Sequence, residues 1–325
     1  MKKFACLLLC AMLCLGTFSG CGTTVPDVRS DTLNIVTTVF PLYDWIKNIV
    51  GDIDGVELTM LMDSGVDLHS YQPTVDDMVR ISQCDLFVYV GGESDKWTKD
   101  ALSGEAKEGR VALNLMQALG SAAREEEQVE GMEGEEAEEE EAEDEGPEYD
   151  EHIWLSVRCA STLCGSICEA LCGLDPDNRD AYEANTAVYR EKLDELDVAY
   201  AEAVASGNRD TLLFADRFPF RYLTEDYGLH YYAAFLGCSA ETEASFETVA
   251  FLAAKTDELG LRCLMKLEGG DGKLCRTVQQ ATQTKDQQIL TMDSLQSVTS
   301  RDLQSGVSYL DVMEKNLKVL KQALQ

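Results

Sequence analysis

Three histidines, at positions 69, 152 and 230, carry the side chains best suited to binding a transition metal or moving a proton near neutral pH. Two of them sit in polar loop sequences. The stretch Asp67-Leu68-His69-Ser70-Tyr71-Gln72-Pro73-Thr74 follows an apolar run that reads as a strand and precedes a helix that Thr74 can cap. His69 thereby falls at the carboxyl end of a strand, where open α/β sheets bind ligands. The stretch Asp150-Glu151-His152-Ile153-Trp154-Leu155 emerges from a block of acids and places His152 at the head of a helix, with Trp154 packed beneath it. His230 opens the run His230-Tyr231-Tyr232 and reads as a packed or edge-strand residue. Eight cysteines lie beyond residue 21; Cys164, Cys168 and Cys172 recur every four residues along one helix face, the pattern of small buried side chains rather than of convergent thiolates.

The elements that must position these groups follow an α/β grammar. Short apolar runs at Leu33 to Val39, Val56 to Met62, Asp85 to Val90 and Val111 to Leu115 alternate with helical patterns at Pro41 to Val50, Val75 to Gln83 and Asp95 to Ala106. A second set has strands near Thr211 to Ala215, His230 to Phe235, Arg262 to Leu267 and Gln288 to Met292, with helices near Pro219 to Asp226, Ser245 to Leu259, Asp271 to Thr284 and Ser305 to Leu324. Strands alternating with helices predict parallel sheets covered on both faces. The chain is therefore expected to form two α/β lobes, residues 33–177 and 207–325. One long helix over residues 178–206 should join them, with Tyr182, Val188, Leu193, Leu196 and Tyr200 on its apolar face.

Composition narrows the function. The 325 residues include 59 acids against 27 bases, a formal charge of −32. So negative a surface repels phosphate backbones, which excludes a nucleic-acid binder that works by phosphate neutralisation. Residues 125–145 hold 14 acids and no base, with almost no large apolar side chains, and are expected to be a disordered loop in the first lobe, either solvating or gathering cations. The N-terminus reads as an export signal over residues 1–20: Lys2-Lys3, an apolar run from Phe4 to Leu15, then small residues. Phe18-Ser19-Gly20-Cys21 resembles a bacterial lipobox, with Phe where Leu is usual. It implies a lipid-modified Cys21 as mature N-terminus, a tether over residues 21–32 and a protein anchored to the outer face of the cytoplasmic membrane. No later stretch approaches about 20 apolar residues.

Taken together, these features resemble a known family. His69-Ser70-Tyr71-Gln72-Pro73 is similar to the H-x-Y-E-P signature, and Asp150-Glu151-His152-Ile153-Trp154-Leu155 to the D-P-H-x-W-L signature, of solute-binding lipoproteins of zinc and manganese ABC importers. Phe220-Arg221-Tyr222-Leu223, Tyr227-Gly228-Leu229 and the closing stretch from Tyr309 to Leu317 match further family motifs, so the resemblance covers essentially the whole mature chain. It implies a metal cleft between the lobes, with His69 and His152 as ligands from the first. In the second lobe, Asp293 in Thr291-Met292-Asp293-Ser294-Leu295 matches the family's late aspartate. The remaining position departs from the pattern: Arg217 stands where the family has His or Glu, and a guanidinium has no lone pair for a metal. Asp216 beside it either takes over as ligand or forms a structural pair with Arg217, which can also pair with an acid in the cleft.

The implied function is capture of a divalent ion, Zn²⁺ with Mn²⁺ as the alternative, by a monomeric, non-enzymatic receptor that delivers it to an ABC permease and its ATPase. The affinity order at nitrogen donors favours zinc. The rival readings are a metallohydrolase, which would need an open coordination position for water, and a surface adhesin that has lost metal binding. The chain has no H-E-x-x-H helix and no G-x-S-x-G elbow.

Overall fold

The computed structural model describes residues 32–133, 148–239 and 243–325. The signal segment, Cys21, nearly all of the tether and residues 134–145 of the acidic stretch lie outside the described residues.

In the first lobe, strands β1 (Leu33–Thr37), β2 (Val56–Met60), β3 (Leu86–Tyr89) and β4 (Val111–Asn114) form a parallel sheet in the order β2-β1-β3-β4. In the second, β5 (Thr211–Phe218), β6 (His230–Leu236), β7 (Cys263–Leu267) and β8 (Gln288–Met292) form another in the order β6-β5-β7-β8. The two sheets share one topology. In each, the first strand sits inside and the second at the edge.

Helices α1 (Phe40–Val50), α2 (Val75–Gln83), α3 (Thr98–Ser103) and α4 (Leu115–Leu119) serve the first lobe. Thr74 caps α2 in a reciprocal box with Asp77, as its sequence indicates. The helix expected over Asp95 to Ala106 shortens to α3, because Asp95 instead closes the turn after β3, its Oδ2 accepting from the Gly91 N–H at 2.9 Å. Helices α5 (Val157–Leu174) and α6 (Arg179–Ala205) come between the two sets of strands in sequence, followed by α7 (Arg221–Tyr227), α8 (Phe246–Glu258), α9 (Lys273–Ala281), α10 (Ser300–Gln304) and α11 (Tyr309–Ala323).

The joining helix α6 has 27 residues, about 40 Å at 1.5 Å per residue. Its buried residues Tyr182, Thr186, Tyr189, Leu193, Leu196, Tyr200 and Ala203 alternate spacings of four and three, a seam that packs on α1, α5 and α11. Val188 falls off this seam and is 56% exposed; Tyr189 takes its place. Helix α5, at 18 residues, is apolar and long enough to cross a membrane, but here it is a core helix that buries Cys164, Cys168 and Cys172 as small apolar side chains. One continuous core runs from Ile35 through Trp45, Leu163 and Tyr200 to Met292 and Leu317, crossing both lobes.

The start of the acidic stretch is not disordered. Glu125 bridges Tyr149 in an antiparallel stem, and Glu133 bridges Phe235 on the edge strand of the second sheet. Met132 is 7% exposed within the core, and Gly131, at φ 84°, lets the Phe251 ring lie where a Cβ would stand. Glu127 pairs with Arg221. Composition suggested that nothing here could be buried, yet one methionine and a glycine turn suffice to strap residues 125–133 across the second lobe.

Candidate metal centre

His69 lies in the short 3₁₀ turn Leu68–Ser70 after β2, held by Asp67, whose Oδ1 accepts from the His69 N–H at 3.1 Å. Its Nδ1 shares a 2.7 Å hydrogen bond with Ser94 Oγ, and the Ser94 N–H donates to Glu151 Oε1 at 2.7 Å. Those contacts turn Nε2 toward the second histidine. His152, fully buried, precedes the 3₁₀ turn Ile153–Leu155; Asp150 Oδ1 accepts from its backbone N–H at 2.8 Å and from Nδ1 at 2.9 Å. A carboxylate on Nδ1 fixes the tautomer that leaves the Nε2 lone pair free for a metal. The two Nε2 atoms are 3.2 Å apart although 83 residues separate them in sequence. Bonds of about 2.0–2.1 Å at a tetrahedral centre set nitrogens about 3.3 Å apart, so the pair is already at coordination spacing.

The second lobe holds the His152 segment in place. The Tyr222 hydroxyl donates to Asp150 O at 2.8 Å, Trp154 Nε1–H to Ser294 O at 2.9 Å, and the Tyr309 hydroxyl to Trp154 O at 2.7 Å. Trp154 meets the His152 ring edge-on at 5.3 Å. Gly237 lies flat against that ring: a Cβ there would stand 3.1 Å from His152 Cε1 and 2.9 Å from Phe218 O.

The surroundings are rich in carboxylates. Asp95, Asp150 and Glu151 are all buried, with Asp95 Oδ1 and Glu151 Oε2 lacking a hydrogen-bond partner. Burial first, then the nearby Glu151 charge, pushes the Asp95 carboxyl up to about 7, against the Gly91 N–H that favours its anion. Burial likewise raises Glu151 and Glu126. Burial and then His152 hold His69 neutral, its pKa lowered to about 3. Burial also opposes a charge on His152, but Asp150 outweighs it and the net shift is upward. Such a shell favours a bound cation.

The expected second-lobe carboxylates do not join the two imidazoles. Among the described residues, the group whose donor atoms lie within 4.8 Å of one another is His69, His152 and Cys238. Asp216 sits at a register shift in β5, where its Oδ1 accepts from the Arg217 N–H and its Oδ2 from the Leu267 N–H at 3.0 Å; the irregularity turns the carboxylate toward β7. Asp293 Oδ1 accepts from the Leu295 N–H at 2.8 Å, and Asn316 bonds both its backbone N–H and its carbonyl. Both carboxylates thus accept backbone N–H groups and lie outside that 4.8 Å group. Arg217 pairs with an acid of the opposite lobe, Nη2 to Asp67 Oδ2 at 2.8 Å. Burial would raise the Asp67 carboxyl, but Arg217 and His69 together hold it below the usual range. His230 is exposed at the start of β6 and takes no part.

Cys238 is the residue that sequence reasoning missed. It follows Gly237 in the turn after β6. No spacing motif announces it; the available signal was a Gly-Cys pair at the carboxyl end of a strand, the type of place already assigned to His69. Of the eight cysteines past residue 21, it alone is not buried.

Beside this group opens a cleft of about 810 Å³ lined by Asp67, Asp216, Arg217, Glu243, Glu268 and Lys273, among others.

Known proteins resemble this chain over nearly its whole length. The family model described as zinc-uptake complex component A, periplasmic, matches residues 35–323. The zinc-binding lipoprotein AdcA of Streptococcus pneumoniae is 32% identical over 326 residues, 99% of this chain and 61% of AdcA. The chain thus spans about three-fifths of that relative's length. The high-affinity zinc uptake system protein ZnuA of Bacillus subtilis is 30% identical over 327 residues, 99% of this chain and 98% of the relative. Among solved structures, the Zn(II)-bound ZnuA-like domain of S. pneumoniae AdcA superposes with a TM-score of 0.70 at 29% identity, covering 90% of this chain and 99% of that one. The metal-dependent lipoprotein YcdH of B. subtilis gives 0.72 at 25% identity, covering 90% and 100%. With both lobes, the joining helix and the paired imidazoles falling inside the matched span, the chain belongs to the periplasmic zinc-uptake complex component A family.

Proposed function

We propose that this protein is the solute-binding component of a zinc importer: it captures Zn²⁺ outside the cytoplasmic membrane, between His69 and His152, and hands it to an ABC permease driven by its ATPase. The observation that carries this reading is the pair of Nε2 atoms 3.2 Å apart, each ring oriented from behind through Nδ1 and both set among buried acids. Neutral imidazoles prefer Zn²⁺ to Mn²⁺ in the usual affinity order. The acid-lined cleft at Asp67, Asp216, Glu243 and Glu268 favours approach of a cation. Capture and release involve no bond-making in a substrate, so the protein acts as a receptor without turnover; one chain carries both imidazoles, which suits a monomer. Lipidation at Cys21 would keep it beside the permease.

The test is equilibrium zinc binding by competition with a chelator, for the wild type and for His69→Ala and His152→Ala, together with zinc-limited growth of a strain carrying each. Tight one-to-one binding, lost in both variants along with growth, is expected. Failure of the wild type to bind, or binding accompanied by hydrolytic turnover, overturns the reading. Fatty-acid labelling that persists in Cys21→Ala would refute the anchor.

A further inference from the structure

We infer that the second lobe's ligand is the Cys238 thiolate, so that the ion is held by two imidazoles and one sulfur across the cleft. This rests on the zinc-capture reading above and specifies its donor set. Cys238 Sγ and the two histidine nitrogens mutually lie within 4.8 Å, and a side-chain adjustment of about 1 Å seats one tetrahedral ion among them, at about 2.0–2.1 Å from nitrogen and 2.3 Å from sulfur. The topology supports the assignment independently. The two sheets share one strand order, and His69 and Cys238 each follow the second, edge strand of their lobe, β2 and β6. The site is thus built from matching strand ends that face each other.

Three neighbours suit Cys238 to the role. Gly237 lacks the Cβ that would strike His152 Cε1 and Phe218 O, which lets the end of β6 approach the imidazole. Arg217 bonds Asp67 through Nη2 at 2.8 Å and Ser239 O through Nη1 at 3.4 Å. It cannot ligate a metal, but it ties the loop of His69 to the turn of Cys238. Asp216 uses both carboxylate oxygens and Asp293 one on backbone N–H groups, and neither lies within the group formed by the two imidazoles and Cys238. On binding, the metal replaces the Sγ–H proton, which leaves to solvent. A thiolate is soft, so the set accepts Zn²⁺, Cd²⁺ and Co²⁺ and discriminates against Mn²⁺ more sharply than nitrogen and oxygen donors would.

Cobalt is the probe. The full protein loaded with one equivalent of Co²⁺ should show intense near-ultraviolet sulfur-to-cobalt charge transfer as well as visible ligand-field bands. In Cys238→Ser the charge-transfer band should vanish while weaker cobalt binding persists, and zinc affinity should fall by more than the roughly 10–100-fold typical of losing an outer-shell partner. Stoichiometric Co²⁺ binding to the wild type without charge transfer, or charge transfer that survives in Cys238→Ser, would each overturn the thiolate assignment and leave zinc capture by the histidines standing. Absence of any tight binding by the wild type would remove both.

Discussion

Replacing Asp150 by Asn tests whether the site is preorganised from behind rather than assembled by the ion. Asp150 is 3% exposed, and its Oδ1 receives both the backbone N–H and the Nδ1–H of His152, at 2.8 and 2.9 Å. Asn keeps the shape and one acceptor oxygen but removes the charge, so both bonds lose their charge-assisted character. It also offers an amide N–H₂ that, if turned toward Nδ1, would force the tautomer with Nε2 protonated, the form that cannot ligate. Loss of such an outer-shell partner typically weakens metal binding by about 10–100-fold, or about 1.4–2.7 kcal/mol. The Tyr222, Ser294 and Tyr309 contacts to residues 150–154 remain, so the fold should hold and the loss should appear in affinity. The assay is chelator competition for zinc alongside a thermal melt of the metal-free protein. An unchanged dissociation constant in a folded Asp150→Asn protein would refute the argument, because the imidazole would then need no support.

Gly237→Ala would place a Cβ 2.9 Å from a backbone oxygen and 3.1 Å from His152, neither a flexible side-chain end. Overpacking of about 1–3 kcal/mol and weakened zinc binding are expected together, and wild-type affinity would count against the close approach. Asp95 is held protonated to about pH 7, so between an unfolded pKa of about 3.9 and that value the folded state binds the extra proton, and stability falls as pH rises through the window. Asp95→Asn should remove that contribution, at most roughly 4 kcal/mol; a variant-minus-wild-type difference in denaturant unfolding that stays flat from acid to neutral pH refutes it. Met132→Ala should cost about 2–4 kcal/mol and expose the strap at residues 125–133 to protease, whereas an unchanged melt would mean that the strap's burial contributes nothing.

Much of this architecture was legible because alternating apolar runs and helical patterns are local signals. The eight strands, the α2 cap at Thr74 and the 27-residue joining helix all follow from short windows. The convergence of His69 and His152 was legible only through the longer motifs that resemble the family, since a histidine in a loop says little by itself. Less was readable where the determinant is a tertiary contact. The register shift in β5 that turns Asp216 toward β7 depends on pairing with β6, which composition does not encode. Val188 and Tyr189 are both apolar neighbours on α6, and only packing decides which one faces the core. Helix α10 was missed although Thr299 and Asp302 form a reciprocal capping box, a signal present in the sequence. Met132 shows that an acidic average conceals a single side chain that an existing pocket can bury.

The same contacts bear on how an ion enters. A receptor that opens by swinging two lobes apart needs a weak interface and flexible crossovers. Here a 27-residue helix joins the lobes and a continuous core runs through both, so a wide hinge motion would expose buried Trp45, Tyr200 and Tyr309. The contacts around the ion are of another kind. The Asp67–Arg217 pair is partly exposed, with side chains at 23% and 26%, and Asp63 meets Ser300 at the loop that bridges Ser64 to Thr299. Exposed ion pairs contribute about 0–1 kcal/mol, whereas exposing a large buried side chain costs several times that. The contacts that cost least to break are therefore those between Arg217 and the loop of His69, whereas His152 is tied to Asp150 and its segment to Tyr222 and Tyr309. If zinc is held as proposed, it would enter and leave on the His69 side, with His152 as the fixed ligand.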